Sequence, residues 1–180
     1  MEKIITIIGS RETPQLELEF IEEIAEKFAI AGWILRSGAA KGADKAGENG
    51  FDKAMGEKEI YLPNKGFMGS TSYLIAPEFP NWQNAVALML YLHPNPKAVK
   101  AKPLTMNLLA RDVYQILGTH LNKPSDLVLC YTPNGELKGG TALALRVCQW
   151  YKEETGNEIP IINIGSLGIE QSRENLLKFL

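Results

Sequence analysis

Short unbroken apolar runs alternate along this chain with longer stretches in which apolar residues return every third or fourth position. Residues 3–8 read as a buried strand, because Ile4, Ile5, Ile7 and Ile8 fill it and Gly9 stops it. Thr13-Pro14 then opens a helix, with Thr13 as N-cap and Pro14 at the first helical position. Leu16, Phe20, Ile24 and Phe28 recur at helical spacing, while Glu17, Glu19, Glu22 and Glu23 fall on other faces. After Gly32 the pattern predicts a strand over 33–36, a helix over 43–55 and a strand over 59–62. A strand–helix–strand–helix–strand order implies right-handed crossovers and a parallel sheet.

Residues 63–80 break this rhythm with Gly, Pro, Ser and aromatic residues, as a functional or mobile loop does. The alternation then resumes: helices over 81–93 and 105–117, a strand over 127–131, a helix over 140–153, a strand over 160–164 and a helix over 170–179. The reading is one Rossmann-like, doubly wound α/β domain spanning 1–180. Its parallel sheet has central order 3-2-1-4-5, and 63–103 form an insertion or lid. No repeat, low-complexity segment or second core is visible.

Composition narrows the classes of function. The chain has 180 residues, 45% hydrophobic and 22% charged, an ordinary globular balance. A formal net charge of −2 gives no global pull toward nucleic acid or an anionic membrane. Cys130 and Cys148 lack CxxC spacing and read as reduced core thiols. His93 and His120 stand too far from other ligand types to suggest a metal, and no cofactor is called for. The N-terminal apolar stretch is too short for a signal peptide, and residues 85–92 are too few to span a bilayer. The expected location is the cytoplasm, with no membrane partner.

Chemistry concentrates at three junctions that follow strands: Gly9-Ser10-Arg11, the stretch from Ser37 to Asp44, and the stretch from Asn134 to Thr141. Ligands of open α/β sheets sit at the carboxyl ends of the strands, where the strand order reverses. Glycine there permits positive φ and close approach of a phosphate to backbone amides. The helix behind each turn offers free N–H groups and a partial positive charge. Ser10, Ser37 and Thr141 add hydroxyls, and Arg11 adds a planar fork of donors. Any one of these glycine pairs could equally be a plain turn or helix cap. Neither the GxGxxG fingerprint nor a Walker A loop is present.

The stretches IIGSRE and AGWILRSGAAKGADKAGENG resemble the opening of the SLOG superfamily, which includes the DNA-processing proteins DprA/Smf and the LOG nucleotide hydrolases. YLPNKGF, His93-Pro94, LLARDVYQILG, PSDLVLCYTPNG and KGGTALALRV resemble successive blocks of a phage-associated DprA-like group. The resemblance implies a Rossmann-like fold with a pocket for a nucleotide-derived ligand. By motif position it places Gly9, Ser10, Arg11, Ser37, Gly38, Gly42, Asp44, Arg111, Gly139, Gly140 and Thr141 at that pocket. Two departures stand out. Asp112 replaces an asparagine usual in the group, which weakens anion binding at that position. Ala144 replaces the glutamate of the LOG hydrolases, so no carboxylate stands where their chemistry needs it; Asp44, Asp112 and Glu136 are other carboxylates in the vicinity, and no catalytic residue is assigned.

Three functions follow from these observations: a non-catalytic binder of a nucleotide or nucleotide sugar, acting as sensor or sequestering protein; a DprA-like single-stranded DNA mediator; and a nucleotide hydrolase. The first fits best, and nucleic acid is the less favoured partner. Trp82, Phe67, Phe79 and Tyr73 suggest either a lid that stacks on a base or a satellite core. His93 reads as a helix-end cap or a ligand contact, and Lys97, Lys100 and Lys102 as a solvated loop. The apolar helices over 85–92 and 104–117 predict self-association, a homodimer by default.

Overall fold

A computed structural model describes residues 2–137 and 139–180. Its centre is a five-stranded, all-parallel sheet in the order β3-β2-β1-β4-β5, as the sequence predicts. The strands are β1 (Ile4–Gly9), β2 (Ile34–Ser37), β3 (Lys58–Ile60), β4 (Leu127–Tyr131) and β5 (Ile161–Asn163). The helices are α1 (Gln15–Ile30), α2 (Ala43–Lys53), α3 (Trp82–Leu92), α4 (Pro96–Lys100), α5 (Pro103–Leu117), α6 (Gly139–Thr155), α7 (Ile164–Leu167) and α8 (Ile169–Leu177). Among the described residues no helix is long and apolar enough to cross a membrane.

Period-two alternation in the central strands feeds two cores, one on each face of the sheet. Ile5 and Ile7 of β1 and Leu127 and Leu129 of β4 pack with Phe20, Ile24 and Phe28 of α1. Ile8, Val128 and Cys130 point the other way, onto α3, α5 and α6 through Met89, Val113, Tyr114 and Val147. Cys130 and Cys148 are free and buried, and burial pushes both thiols up to about 12. The polar residue inside β1, Thr6, is satisfied: its hydroxyl donates to the Gln115 carbonyl at 2.6 Å.

Local differences from the sequence reading have physical causes. Pro14, not Thr13, is the N-cap of α1; the Thr13 hydroxyl donates back to the Ser10 carbonyl at 2.6 Å and tightens the turn before the helix. The segment holding Lys97 and Lys100 is the short helix α4, capped by the Asn95 side chain, which accepts from the Ala98 amide at 3.2 Å. Ile164 ends no strand but starts α7, because the Asn163 side chain caps it through the Gly165 amide. The His93 Nδ1 accepts the Asn95 amide at 3.0 Å, a role in the helix end. Phe79 and Trp82 pack on Tyr114, with ring centroids 5.1 and 6.4 Å away, and Tyr61 stacks on the same ring. These aromatic residues form a satellite core, while Tyr73 is 87% exposed.

Candidate functional site

The carboxyl ends of β1 and β4 open on a cavity of about 580 Å³. Besides Ile8 at the end of β1 and Thr132 and Pro133 after β4, its walls come from four places. The turn after β1 supplies Gly9, Ser10, Arg11 and Glu12; the start of α2 supplies Asp44, with Ala40 before it; α5 supplies Thr105, Leu108, Arg111, Asp112 and Gln115; and α6 supplies Gly139, Gly140, Thr141 and Ala144. Strand pairing brings the first and last together, because Gly9 registers with Tyr131 and the Ser10 amide donates to the Tyr131 carbonyl at 3.0 Å. Gly9 has to be small: a Cβ there would stand 2.7 Å from the Ala43 Cβ and 2.9 Å from the Tyr131 carbonyl oxygen.

The turn between β2 and α2 is closed upon itself. Asp44 is 3% exposed and accepts backbone hydrogen bonds from Gly38, at 3.1 Å, and from Ala40 and Gly9. One carboxylate thus ties the turn after β1 to the turn after β2. Burial pushes its pKa up, opposed by Arg111 and by those three amides. Arg111 donates from Nη1 to the Gly38 carbonyl, and a Cβ on Gly38 would lie 2.1 Å from that same nitrogen. The Ser37 hydroxyl is spent on the Ile7 carbonyl at 2.9 Å. Gly42, at φ +85°, lets the backbone pass so close that a Cβ would meet the Ser10 carbonyl oxygen at 2.3 Å. Ser37, Gly38 and Gly42 therefore brace the site from behind; Gly9, Ser10, Arg11, Asp44, Arg111, Gly139, Gly140 and Thr141 line the cavity itself.

The start of α6 is open. Gly139 and Gly140 are exposed, and a Cβ on Gly139 would meet nothing within 4 Å. The first amides of a 17-residue helix lack intrahelical partners and carry the positive end of its dipole. Across the opening, Arg11 is exposed and, among the described residues, has no ion-pair partner. The Ser10 hydroxyl accepts the Glu12 amide at 3.1 Å, which leaves its own proton to donate.

The floor holds Asp112, which the sequence reading discounted. It is 4% exposed, and its Oδ1 lies 3.0 Å from Arg111 Nη2. Burial pushes its pKa up to about 7; Arg111 pulls against that shift, and Asp44 adds to it. Thr105, Leu108, Gln115 and Thr132 were also missed. One signal was available. Arg111, Asp112 and Gln115 form a polar stripe in a helix whose neighbours Leu109, Ala110, Val113, Tyr114, Ile116 and Leu117 are all buried. Three polar side chains inside such a run mark a wetted or ligand-facing stripe. Phe67 does not roof the cavity; its ring centre lies 5.9 Å from the Arg111 guanidinium carbon. Among the described residues no cluster of His, Cys, Asp or Glu could hold a metal ion.

Residues 1–58 match the family model of DNA recombination-mediator protein A. No functionally curated protein matches the chain. Among solved structures, DNA processing protein A from Helicobacter pylori, described by its single-stranded DNA binding mode, superposes with a TM-score of 0.54 at 18% identity. That match covers 98% of this chain and 81% of the other. DNA processing protein A from Streptococcus pneumoniae superposes with a TM-score of 0.53 at 15% identity, over 99% of this chain but only 56% of that one. The molybdenum cofactor carrier protein from Chlamydomonas reinhardtii gives a TM-score of 0.47 at 15% identity over 99% of both chains. The first third of the chain thus matches that family model in sequence, and the chain as a whole has a Rossmann-like fold similar to those of the two DNA processing proteins.

Proposed function

We propose that the chain binds a nucleotide or nucleotide-derived ligand in this cavity and does not turn it over. One observation carries the reading: the open start of α6, Arg11 (without an ion-pair partner among the described residues) and the polar stripe of α5 face a single space of about 580 Å³. That volume lies within the range of ordinary small-ligand sites. The phosphate end sits against Ser10, Arg11 and the amides of 139–141, where donors and helix dipole favour an anion. The sugar or base lies along Ile8, Leu108 and Leu109, the apolar part of the wall. Ala144 stands in that wall where the LOG hydrolases carry a glutamate, so binding without hydrolysis is the expectation. Such a protein would act as a sensor or would sequester its ligand.

The test is the mass of any small molecule released by heat from the purified protein, followed by calorimetric titration with adenosine 5′-monophosphate and chromatography of the mixture. The expected result is a phosphate-bearing compound and nucleotide recovered intact. A second reading, single-stranded DNA binding, is favoured by the family match over 1–58. A net charge of −2 weighs against it, because strand-tracking grooves are basic. A gel shift whose affinity falls steeply with salt would put this second reading first.

A further inference from the structure

Asp112 is an odd neighbour for an oxyanion. Its Oδ1 is held by Arg111, but its Oδ2 has no hydrogen-bond partner among the described residues and faces the start of α6. A Cβ built on Gly140 would lie 3.7 Å from that oxygen. The side chain is thus buried, half-satisfied and aimed at the amides that would receive a phosphate. A fully ionised carboxylate and a fully ionised oxyanion cannot share that space without repulsion. We propose that an oxyanion seated against the N-terminus of α6 is held through a proton shared with Asp112, so that filling the cavity takes up a proton from solution.

This inference rests on the oxyanion-binding reading above and adds a condition to it. The proton moves from solvent to an O–H···O bond between Asp112 Oδ2 and one ligand oxygen, and no covalent bond is made or broken. The other charged groups lining the cavity are Arg11 and Glu12 on the turn after β1, Asp44 on α2 and Arg111 on α5; α6 contributes amides and the Thr141 hydroxyl. Arg111 is engaged by Gly38 and Asp112 through its two terminal nitrogens, and Asp44 by three amides. Arg111 Nε and Gln115 Nε2 are buried donors with no partner among the described residues, so neither bonds Asp112 Oδ2. Burial keeps Asp112 close to its half-protonated point near neutrality, about 7, so the proton is available at modest cost. An arriving anion pushes that value higher still. The asparagine usual at this position in the resembling group would supply a permanent amide donor; aspartate makes the same hydrogen bond dependent on pH.

The experiment is calorimetric titration of the full chain with adenosine 5′-monophosphate and with orthophosphate. Each is run near pH 7.5 in two buffers of different ionisation enthalpy, and the affinity is followed from about pH 6 to 9. The expected result is uptake of roughly three-quarters of a proton per ligand near pH 7.5, and an affinity that falls toward tenfold per pH unit above 8. Asp112→Asn should abolish the uptake and flatten the pH profile, binding tenfold or more tighter than the wild-type chain near pH 8.5. The buffer comparison uses the wild-type chain alone, so it decides the matter even if the variant folds poorly. Binding with equal heats in both buffers overturns the proposal and leaves the nucleotide reading standing. A variant that keeps the wild-type pH slope also overturns it. Failure of both probes to bind at every pH overturns both readings.

Discussion

The two glycine-rich turns that look most alike in the sequence, Ser37-Gly38-Ala39-Ala40-Lys41-Gly42 and the one ending in Gly139-Gly140-Thr141, are opposites in the fold. The first is filled by the protein's own groups. Asp44 accepts its amides, Arg111 donates to its carbonyl, and the space above Gly38 is taken. The second is exposed, with nothing near Gly139. Both precede a helix, but in the first the turn amides of Gly38 and Ala40 are already taken by Asp44. A carboxylate that opens the following helix can serve as the turn's own anion, and its presence marks a closed turn; a threonine there leaves the turn open. The glycine pattern alone does not separate these two cases.

Four substitutions would break or sharpen this contrast. Asp44→Ala should have the largest effect, because it leaves three buried amides without their acceptor and removes the carboxyl that ties two turns together. A loss of about 3–5 kcal/mol in urea-unfolding free energy is expected, and a loss below about 1 kcal/mol would mean that the turn holds without it. Asp112→Asn should act through pH. The folded chain keeps the Asp112 proton up to about 7, whereas the unfolded carboxyl releases it near its ordinary 3.8. The folded state therefore binds more protons across that window, and stability falls as pH rises through it and levels above. The variant escapes that fall, so it should exceed the wild-type chain by a few kcal/mol near pH 8 and by little near pH 4; equal melting curves at both values would count against a buried, reluctant Asp112.

Arg11→Ala, on the open side, should weaken adenosine 5′-monophosphate binding roughly tenfold to a hundredfold, the worth of one charge-assisted hydrogen bond. Its folding free energy should change by less than about 1 kcal/mol, since Arg11 is exposed and unpaired among the described residues. Unchanged affinity with a large drop in melting temperature would make Arg11 a structural residue. Gly140→Ala should be the mildest for folding. It gains up to about 1 kcal/mol from reduced chain entropy in an ordinary helical conformation. The added methyl group would stand 3.7 Å from Asp112 Oδ2, in the space between that oxygen and α6, and should cost binding. A variant that binds as well as the wild-type chain would move the phosphate away from that helix.

Much of the fold was legible because it is set by burial. β4 runs Leu127–Tyr131 in both readings, since an apolar run between Asp126 and Thr132 has only one place in a parallel sheet. The strand order followed from the alternation of elements. What failed were features decided by single hydrogen bonds. Thr13 turned its hydroxyl to Ser10 rather than to a helix amide, and Asn95 and Asn163 started two short helices that periodicity cannot register. Ala39, at φ +56°, adopts a conformation that no rule of residue preference assigns to alanine. At the site, the turn after β1 and the start of α6 could be found from their glycines and position. Of the α5 wall only Arg111 was placed, through the family resemblance; its neighbours were not, because which helix faces the cavity depends on how the insertion folds over the sheet. Asp112 was judged by its charge and discounted, although its surroundings allow it to be neutral.

The satellite core has a consequence for how this protein can be observed. Trp82 is stacked on Tyr114 at 6.4 Å with the rings 8° from parallel, and Tyr114 belongs to the same helix as Arg111, Asp112 and Gln115. One side of α5 lines the cavity and another carries the ring against which the indole rests. Any ligand that shifts this helix by a fraction of an ångström changes the indole's contact with the phenol, and with it the quenching of the tryptophan's emission. One of the chain's three tryptophans thus reports optically on this helix, from the far side of the cavity wall.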